Sequence, residues 1–206
     1  MTLTHPLRLL ILLAAMALSA CGAAPRETPA AADPAEIAEL RQAILALGPD
    51  IDPEEADRAA RVAYTYPLQL RQSYGVTDSA IVHNIKVNNG TRPRGLCWHW
   101  ADDMEARLDR ENFRTLELHR AIGNAGIPFR IEHSTVIVSA RGEDMFDGLV
   151  LDPWRWGGDL YWGPPAEDDR YRWEPRQTVL ARSGRLIYET EAQAAAAGFG
   201  GPQVVN

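Results

Sequence analysis

Three residues in this chain of 206 could together perform nucleophilic acyl chemistry. Cys97 stands in Gly95-Leu96-Cys97-Trp98-His99-Trp100, His133 in Glu132-His133-Ser134, and Asp152 in Leu151-Asp152-Pro153-Trp154. A thiol, an imidazole and a carboxylate in that chain order are the parts of a cysteine nucleophile, its general base and the group that orients the base. Taken singly, the thiol has a plainer reading as a small buried hydrophobe, the usual fate of a lone cysteine.

Each of the three needs its own element. Cys97, Ala101, Met104 and Leu108 recur at the spacing of one helical face, with Gly95 just ahead, so the pattern predicts a helix that opens at the cysteine. Unpaired N–H groups and the positive dipole end at such a start favour an anion, and the thiolate is the reactive form of the side chain. Residues 131–139 and 148–152 are β-branched or aliphatic runs bounded by Arg141-Gly142 and Pro153. They read as two strands, neighbours through the loop 140–147. His133 and Asp152 can then face each other across a sheet, while Glu132 points to the opposite face from its neighbour His133.

A cysteine heading a helix, a histidine opening an aliphatic strand and an Asp-Pro closing the next resembles the transglutaminase-like branch of the papain-like cysteine hydrolase superfamily. The resemblance covers roughly Thr77 to Tyr161. It implies an α+β fold in which N-terminal helices and a central cysteine-bearing helix pack on an antiparallel sheet. It further implies Cys97 as nucleophile, His133 as base and Asp152 as its partner, working without metal or organic cofactor. The family often carries an aromatic residue shortly after the histidine, where this chain has Ser134-Thr135-Val136, so the wall of the acyl pocket differs. For the oxyanion, the backbone N–H of Cys97 is the default donor at a helix start, with the Trp98 and Trp100 side chains as alternatives.

The N-terminus points to a compartment. Met1 to Arg8 is weakly basic, Leu9 to Leu18 is apolar, and Leu18-Ser19-Ala20-Cys21 closes the segment. The apolar stretch is too short for a permanent membrane span. Its ending resembles the bacterial lipobox, which implies removal of residues 1–20 and lipidation of Cys21; an ordinary signal peptide with an incidental cysteine is the alternative. Two acyl chains on one thiol with a third on the amine would anchor firmly, since a single chain is marginal. Gly22 at the second mature position resembles the outer-membrane sorting pattern, which implies the periplasmic face of that membrane. With Cys21 lipidated and Cys97 single, no intrachain disulfide can form.

Residues 21–32 are a low-complexity tether of Ala, Pro and Thr, and 33–206 is long enough for one domain. Loss of Arg8 with the signal takes the formal charge from −7 to about −8, which argues against nucleic acid as a partner. Asp33-Pro34-Ala35-Glu36 predicts a helix over 34–47, and Asp52-Pro53-Glu54-Glu55 predicts another to about Tyr64. Pro67 begins a third, ending at Gly75. Residues 77–87, with Ile81, Val82 and Ile85 at helical spacing, form a fourth closed by Asn88-Asn89-Gly90. Phe113 to Ile122 and Asp159 to Trp162 are further strand candidates.

Rival sites are weaker. His99, Asp102 and Asp103 could share one helical face and take a divalent metal, or form a polar outer face or cleft rim. His83 and His119 have no evident partner. No glycine-rich phosphate loop, Gly-x-Ser-x-Gly elbow or His-Glu-x-x-His helix occurs. The aromatic set Trp154, Trp156, Tyr161, Trp162, Tyr171 and Trp173 reads either as core packing or as a cleft wall, with Trp98, Trp100 and Trp154 as the cleft candidates. The sequence thus points to a lipid-anchored envelope protein acting on amide or ester bonds of peptides, proteins or peptidoglycan. The alternative is a catalytically inactive lipoprotein that binds a protein or cell-wall partner on the same scaffold.

Overall fold

A computed structural model of the chain describes residues 31–185. The signal segment, Cys21, the tether up to Ala30 and everything after Arg185 lie outside the described residues. Among the described residues no helix is long and apolar enough to cross a membrane.

The two Asp-Pro signals start helices as their chemistry dictates. Asp33 caps α1 (Pro34–Leu45) by accepting from the Ala35 N–H at 2.8 Å, and Asp52 caps α2 (Pro53–Tyr74) by accepting from the Glu54 N–H at 2.8 Å. The expected break at Pro67 does not occur, and α2 runs on to Gly75, which caps it at φ +65°. Proline forfeits the bond to the Ala63 carbonyl, yet Val62, Ala63, Tyr64, Pro67, Leu70 and Tyr74 are all buried on both sides of it. The Gly157-Gly158 turn presses on this stretch: a Cβ on Gly158 would stand 2.9 Å from the Arg71 Cβ, and Arg71 donates to the Gly157 carbonyl at 2.6 Å. Tertiary burial therefore outweighs one missing helical bond.

The helix α3 (Ala80–Asn88) forms, but with its expected faces exchanged. Ile81, Val82 and Ile85 are exposed, and His83 is the buried residue. The reason is polar: His83 Nε2 bonds to the Arg94 carbonyl oxygen at 2.9 Å, and Asn84 accepts from the Trp154 indole N–H at 3.1 Å.

After α4 (Cys97–Asp109) the chain enters an antiparallel sheet of β1 (Leu116–Gly123), β2 (His133–Ala140), β3 (Leu149–Trp156), β4 (Asp159–Gly163) and β5 (Trp173–Pro175). The strands lie in the order β4-β3-β2-β1-β5, and α5 (Arg176–Arg182) follows the last. This is an α+β architecture with helices and a central cysteine-bearing helix on an antiparallel sheet, as the sequence predicts. The first strand begins later than expected, at Leu116 rather than Phe113. Pro153 does not end β3: the register slips between Asp152 and Trp156, and the proline sits in that irregular stretch, where a missing N–H costs the ladder little. The short β5 and α5 have no periodic signal long enough to be read from sequence.

Central β2 is buried on both faces. Val136 and Val138 join Leu40, Ile44, Met104 and Leu108 under the helices, while Ile137 packs with Ala121, Val150 and Trp173 on the far side. The face of α4 that carries Cys97, Ala101, Met104 and Leu108 is buried, so the helix is pinned to the sheet by the same periodicity that places its cysteine. At about 1.5–3 kcal/mol per fully buried aliphatic side chain, these contacts are what fix the helix start against β2.

Candidate active site

The loop before Cys97 is held from three sides. Gly95 has φ +126°, and a Cβ there would lie 2.3 Å from His83 Nε2, so no other residue fits. His99 Nδ1 accepts from the Gly95 and Leu96 N–H groups at 3.1 and 3.2 Å. Burial first, then the Arg94 charge, lowers the His99 pKa, which suits a neutral acceptor. The Trp100 indole N–H donates to the Gly95 carbonyl at 3.1 Å. These contacts present Cys97 as the first helical residue, 9 % exposed, with its sulfur 3.9 Å from the Glu132 carbonyl oxygen.

His133 opens β2, and its Nε2 hydrogen-bonds Asp152 Oδ2 at 2.6 Å. The expected carboxylate is therefore on the imidazole. The ring is wedged among Trp154 and Tyr171, each with its centroid 4.5 Å away, and Trp173 at 5.5 Å. Burial alone would depress its pKa; the Asp152 charge and hydrogen bond, followed by the Cys97 side chain beside it, override burial and hold it up at about 9. The second ring nitrogen, Nδ1, is buried and meets no hydrogen-bond geometry among the described residues, with the Cys97 side chain beside it. With Nε2 committed to Asp152, Nδ1 is the nitrogen left for the thiol. Burial opposes ionising Asp152, but the His133 charge and then Arg155 keep its pKa below the usual carboxylate range.

Cys97 and His133 meet at a cleft of ≈ 330 Å³ walled by Trp98, Arg120, Ile122, Ser134 and Leu180. That volume suits a side chain or a short peptide segment. Trp98 is 48 % exposed there, as a cleft residue should be. Trp100 and Trp154 correct the expectation. Trp100 is core, edge-on to Tyr74, with its indole N–H already spent on Gly95, so it can neither line the cleft nor serve an oxyanion. Trp154 lies behind the imidazole, 4 % exposed, as a packing support. The N–H groups of Cys97 and Trp98, at the first two helical positions, have no intrahelical acceptor and face the same end of α4.

Ser134 stands where an aromatic residue was expected from the resemblance, and it accepts from Arg120 Nη2 at 3.0 Å. Glu132 pairs with Arg185 at 3.0 Å, while the imidazole takes Asp152 instead. The three side chains of the metal alternative are parted: His99 faces the loop, Asp102 pairs with Arg120, and Asp103 takes Arg94 and the Tyr74 hydroxyl. His99 is buried, contrary to a polar outer face. Among the described residues no group of three such side chains could hold a metal. His119 bonds the Ser139 hydroxyl at 2.8 Å and takes no part in the site. A larger groove of ≈ 690 Å³ between α1 and α2 is lined by Arg41, Asp57, Arg58 and Arg61 and holds no nucleophile.

Sequence reasoning missed Arg155 and Asp168, gave His83 no partner, and placed Tyr171 in the aromatic set without its contact to the imidazole. The one usable signal was Arg155, three positions after the aspartate and able to reach back to it. No protein-family model, curated protein or solved structure matches the chain.

Proposed function

We propose that the chain is a transglutaminase-like thiol acyl-transfer enzyme of the cell envelope, acting on amide or ester bonds of peptides, proteins or peptidoglycan stems. The observation that carries the reading is the His133 imidazole: locked to Asp152 through Nε2 at 2.6 Å, with Nδ1 left without a hydrogen bond among the described residues and the Cys97 side chain beside the ring, in the same cleft as the thiol that opens α4. The Cys97 thiolate adds to the carbonyl carbon, and the N–H groups at the start of α4 receive the developing oxyanion. Collapse breaks the bond to the amine or alcohol, which leaves with a proton from His133 and an acyl thioester behind it. Water or an amine, deprotonated by the now neutral imidazole, then attacks the thioester; the carbon–sulfur bond breaks, the acid or new amide leaves, and the Cys97 thiolate stands again beside protonated His133. Asp152 fixes the tautomer and stabilises the imidazolium throughout.

Iodoacetamide labelling of the full chain tests this directly. Cys97 is expected to react well below pH 8, and His133→Ala is expected to abolish that low-pH reactivity; a Cys97 that reacts as an ordinary or inert thiol regardless of His133 supports the non-catalytic binding alternative instead. The lipid anchor on Cys21 is part of the same proposal. Cys21→Ser is expected to leave the precursor uncut or move the protein out of the membrane fraction, and unchanged partitioning would remove the anchor from the reading.

A further inference from the structure

Asp152 does not serve His133 alone. Its Oδ2 accepts from both His133 Nε2 at 2.6 Å and Arg155 Nε at 2.9 Å, and its Oδ1 accepts from the Arg155 backbone N–H at 3.4 Å. The far end of the same guanidinium is taken by Asp168, with Nη1 donating to Oδ1 at 3.3 Å and Nη2 to Oδ2 at 2.7 Å. Asp168 is fixed by the Trp173 indole N–H at 3.0 Å and the Arg170 N–H at 3.0 Å. The Asp152, Arg155 and Asp168 side chains are 1, 3 and 1 % exposed, so no solvent screens this row. The guanidinium also lies over Tyr161, 3.7 Å from its centroid, and near Tyr171, which itself packs on the imidazole.

We infer that Asp168 is a positioning residue of the Cys97-His133-Asp152 site, acting through Arg155 so that Asp152 keeps its full attraction for the His133 imidazolium. The inference rests on the acyl-transfer reading above. Its logic is charge alternation in a dry interior. Were Arg155 alone beside Asp152, the two would cancel, and an imidazolium placed next to them would lose its hydration for little return. With Asp168 added the row carries a net single negative charge, and protonated His133 brings it to zero. Cys97 faces the ring from α4, and its thiolate adds one negative charge that is common to every variant compared. Tyr171, held neutral with a pKa pushed up to about 12 by burial, faces it from the segment before β5; Trp154 and Trp173 carry no charge.

The test is the pH profile of Cys97 alkylation by iodoacetamide, in which a carbon–sulfur bond forms and iodide leaves with the carbon–iodine pair. The unsubstituted full chain should show a rate plateau through neutral pH that depends on His133. Asp168→Asn makes the row neutral and should lower that plateau roughly tenfold or more, since each unit lost from the imidazole's affinity is tenfold. The double variant Arg155→Gln with Asp168→Asn returns the row to a single negative charge. It should recover to within about threefold of the unsubstituted rate, because a paired buried charge replaced together with its partner by neutral groups is tolerated far better than a broken pair.

A merely structural Asp168 predicts otherwise: a lower melting temperature with an unmoved pH profile, and a double variant worse than the single. Either result overturns the inference. Should Asp168→Asn alone fail to fold, the double variant carries the test, and its failure to fold or its loss of the plateau also overturns the inference. A chain with no His133-dependent plateau at all defeats the acyl-transfer reading, whereas a plateau that Asp168→Asn leaves intact defeats only the role of Asp168.

Discussion

Of the carboxylates buried in this molecule, Glu55 on α2 at 2 % exposure and Asp152 on β3 at 1 % are satisfied in opposite ways. Glu55 accepts from the backbone N–H of Arg114 at 2.8 and 3.0 Å, from the N–H of Thr115 at 2.8 Å and from its hydroxyl at 2.7 Å. None of those donors titrates. The Arg114 guanidinium, 3.8 Å away, is 83 % exposed and adds little through solvent. Glu55 therefore ties the approach to β1 onto α2. Asp152 shares its oxygens between an imidazole and a guanidinium, so it couples protonation states. A buried carboxylate ended by backbone amides holds chain together; one ended by titratable side chains holds charge in place.

Substituting the two should separate those roles most widely. Asp152→Ala leaves Arg155 and Asp168 as a closed pair and frees the imidazole to turn, so turnover or low-pH Cys97 alkylation should fall about 10³-fold or more with a modest change in urea midpoint. Glu55→Ala leaves the part-buried N–H groups of Arg114 and Thr115 without their acceptor, at about 1–3 kcal/mol for each donor that water does not reach, so its loss should be in stability. Alkylation per folded molecule should stay as in the unsubstituted protein. Comparable losses of reactivity in both variants would erase the distinction.

The pH dependence of stability sharpens it further. The His133 pKa is raised from 6.5 to about 9, so its contribution is complete below about pH 6.5 and is lost as pH climbs through 9; over that span the folded state holds the extra proton. The loss is on the order of 3 kcal/mol at most, and it is the same interaction that Asp152 feels, counted once. For Glu55, burial opposes ionisation but the bonds from Thr115 and Arg114 outweigh it and lower the pKa. Its contribution is present above about pH 4.5 and fades as pH falls through the lowered folded value. Urea midpoints against pH should show both limbs, with His133→Gln flattening only the alkaline one and Glu55→Gln only part of the acid one. An alkaline limb unchanged in His133→Gln would mean that the imidazole is not held protonated.

How much of this was legible in the sequence follows from the range of each signal. Asp33-Pro34 and Asp52-Pro53 act within one turn, so the starts of α1 and α2 could be read directly. The three reactive residues could be read because the helix spacing after Cys97 and the aliphatic runs beside His133 and Asp152 are also local. Pro67, the exchanged faces of α3 and the continuation of β3 past Pro153 depend on what packs against them, and no window of sequence contains that. The tryptophans show the same limit. Trp98, Trp100 and Trp154 are alike in type, and only the fold turns one to the cleft, one to Tyr74 and one to the back of the imidazole. Arg155 reaches Asp152 through an irregular strand, and Asp168 arrives from a segment with little regular structure.

The smallest expected effect concerns Glu132, the carboxylate nearest His133 in sequence. Its side chain, 40 % exposed, pairs with Arg185, itself 50 % exposed, at 3.0 Å on the open rim of the cleft that both residues line. Exposed pairs of this kind contribute about 0–1 kcal/mol. What Glu132 offers the site is its backbone carbonyl, 3.9 Å from the Cys97 sulfur, and a side-chain substitution leaves that atom in place. Glu132→Ala should therefore lower Cys97 alkylation by no more than about fivefold, since 1 kcal/mol is about a factor of five. Measured beside Asp152→Ala with the same reagent and pH, equal losses would transfer the orienting role from the distant carboxylate to the adjacent one. The pairings already in place argue against that, because the Glu132 carboxylate is held by Arg185 while Asp152 holds the imidazole at 2.6 Å.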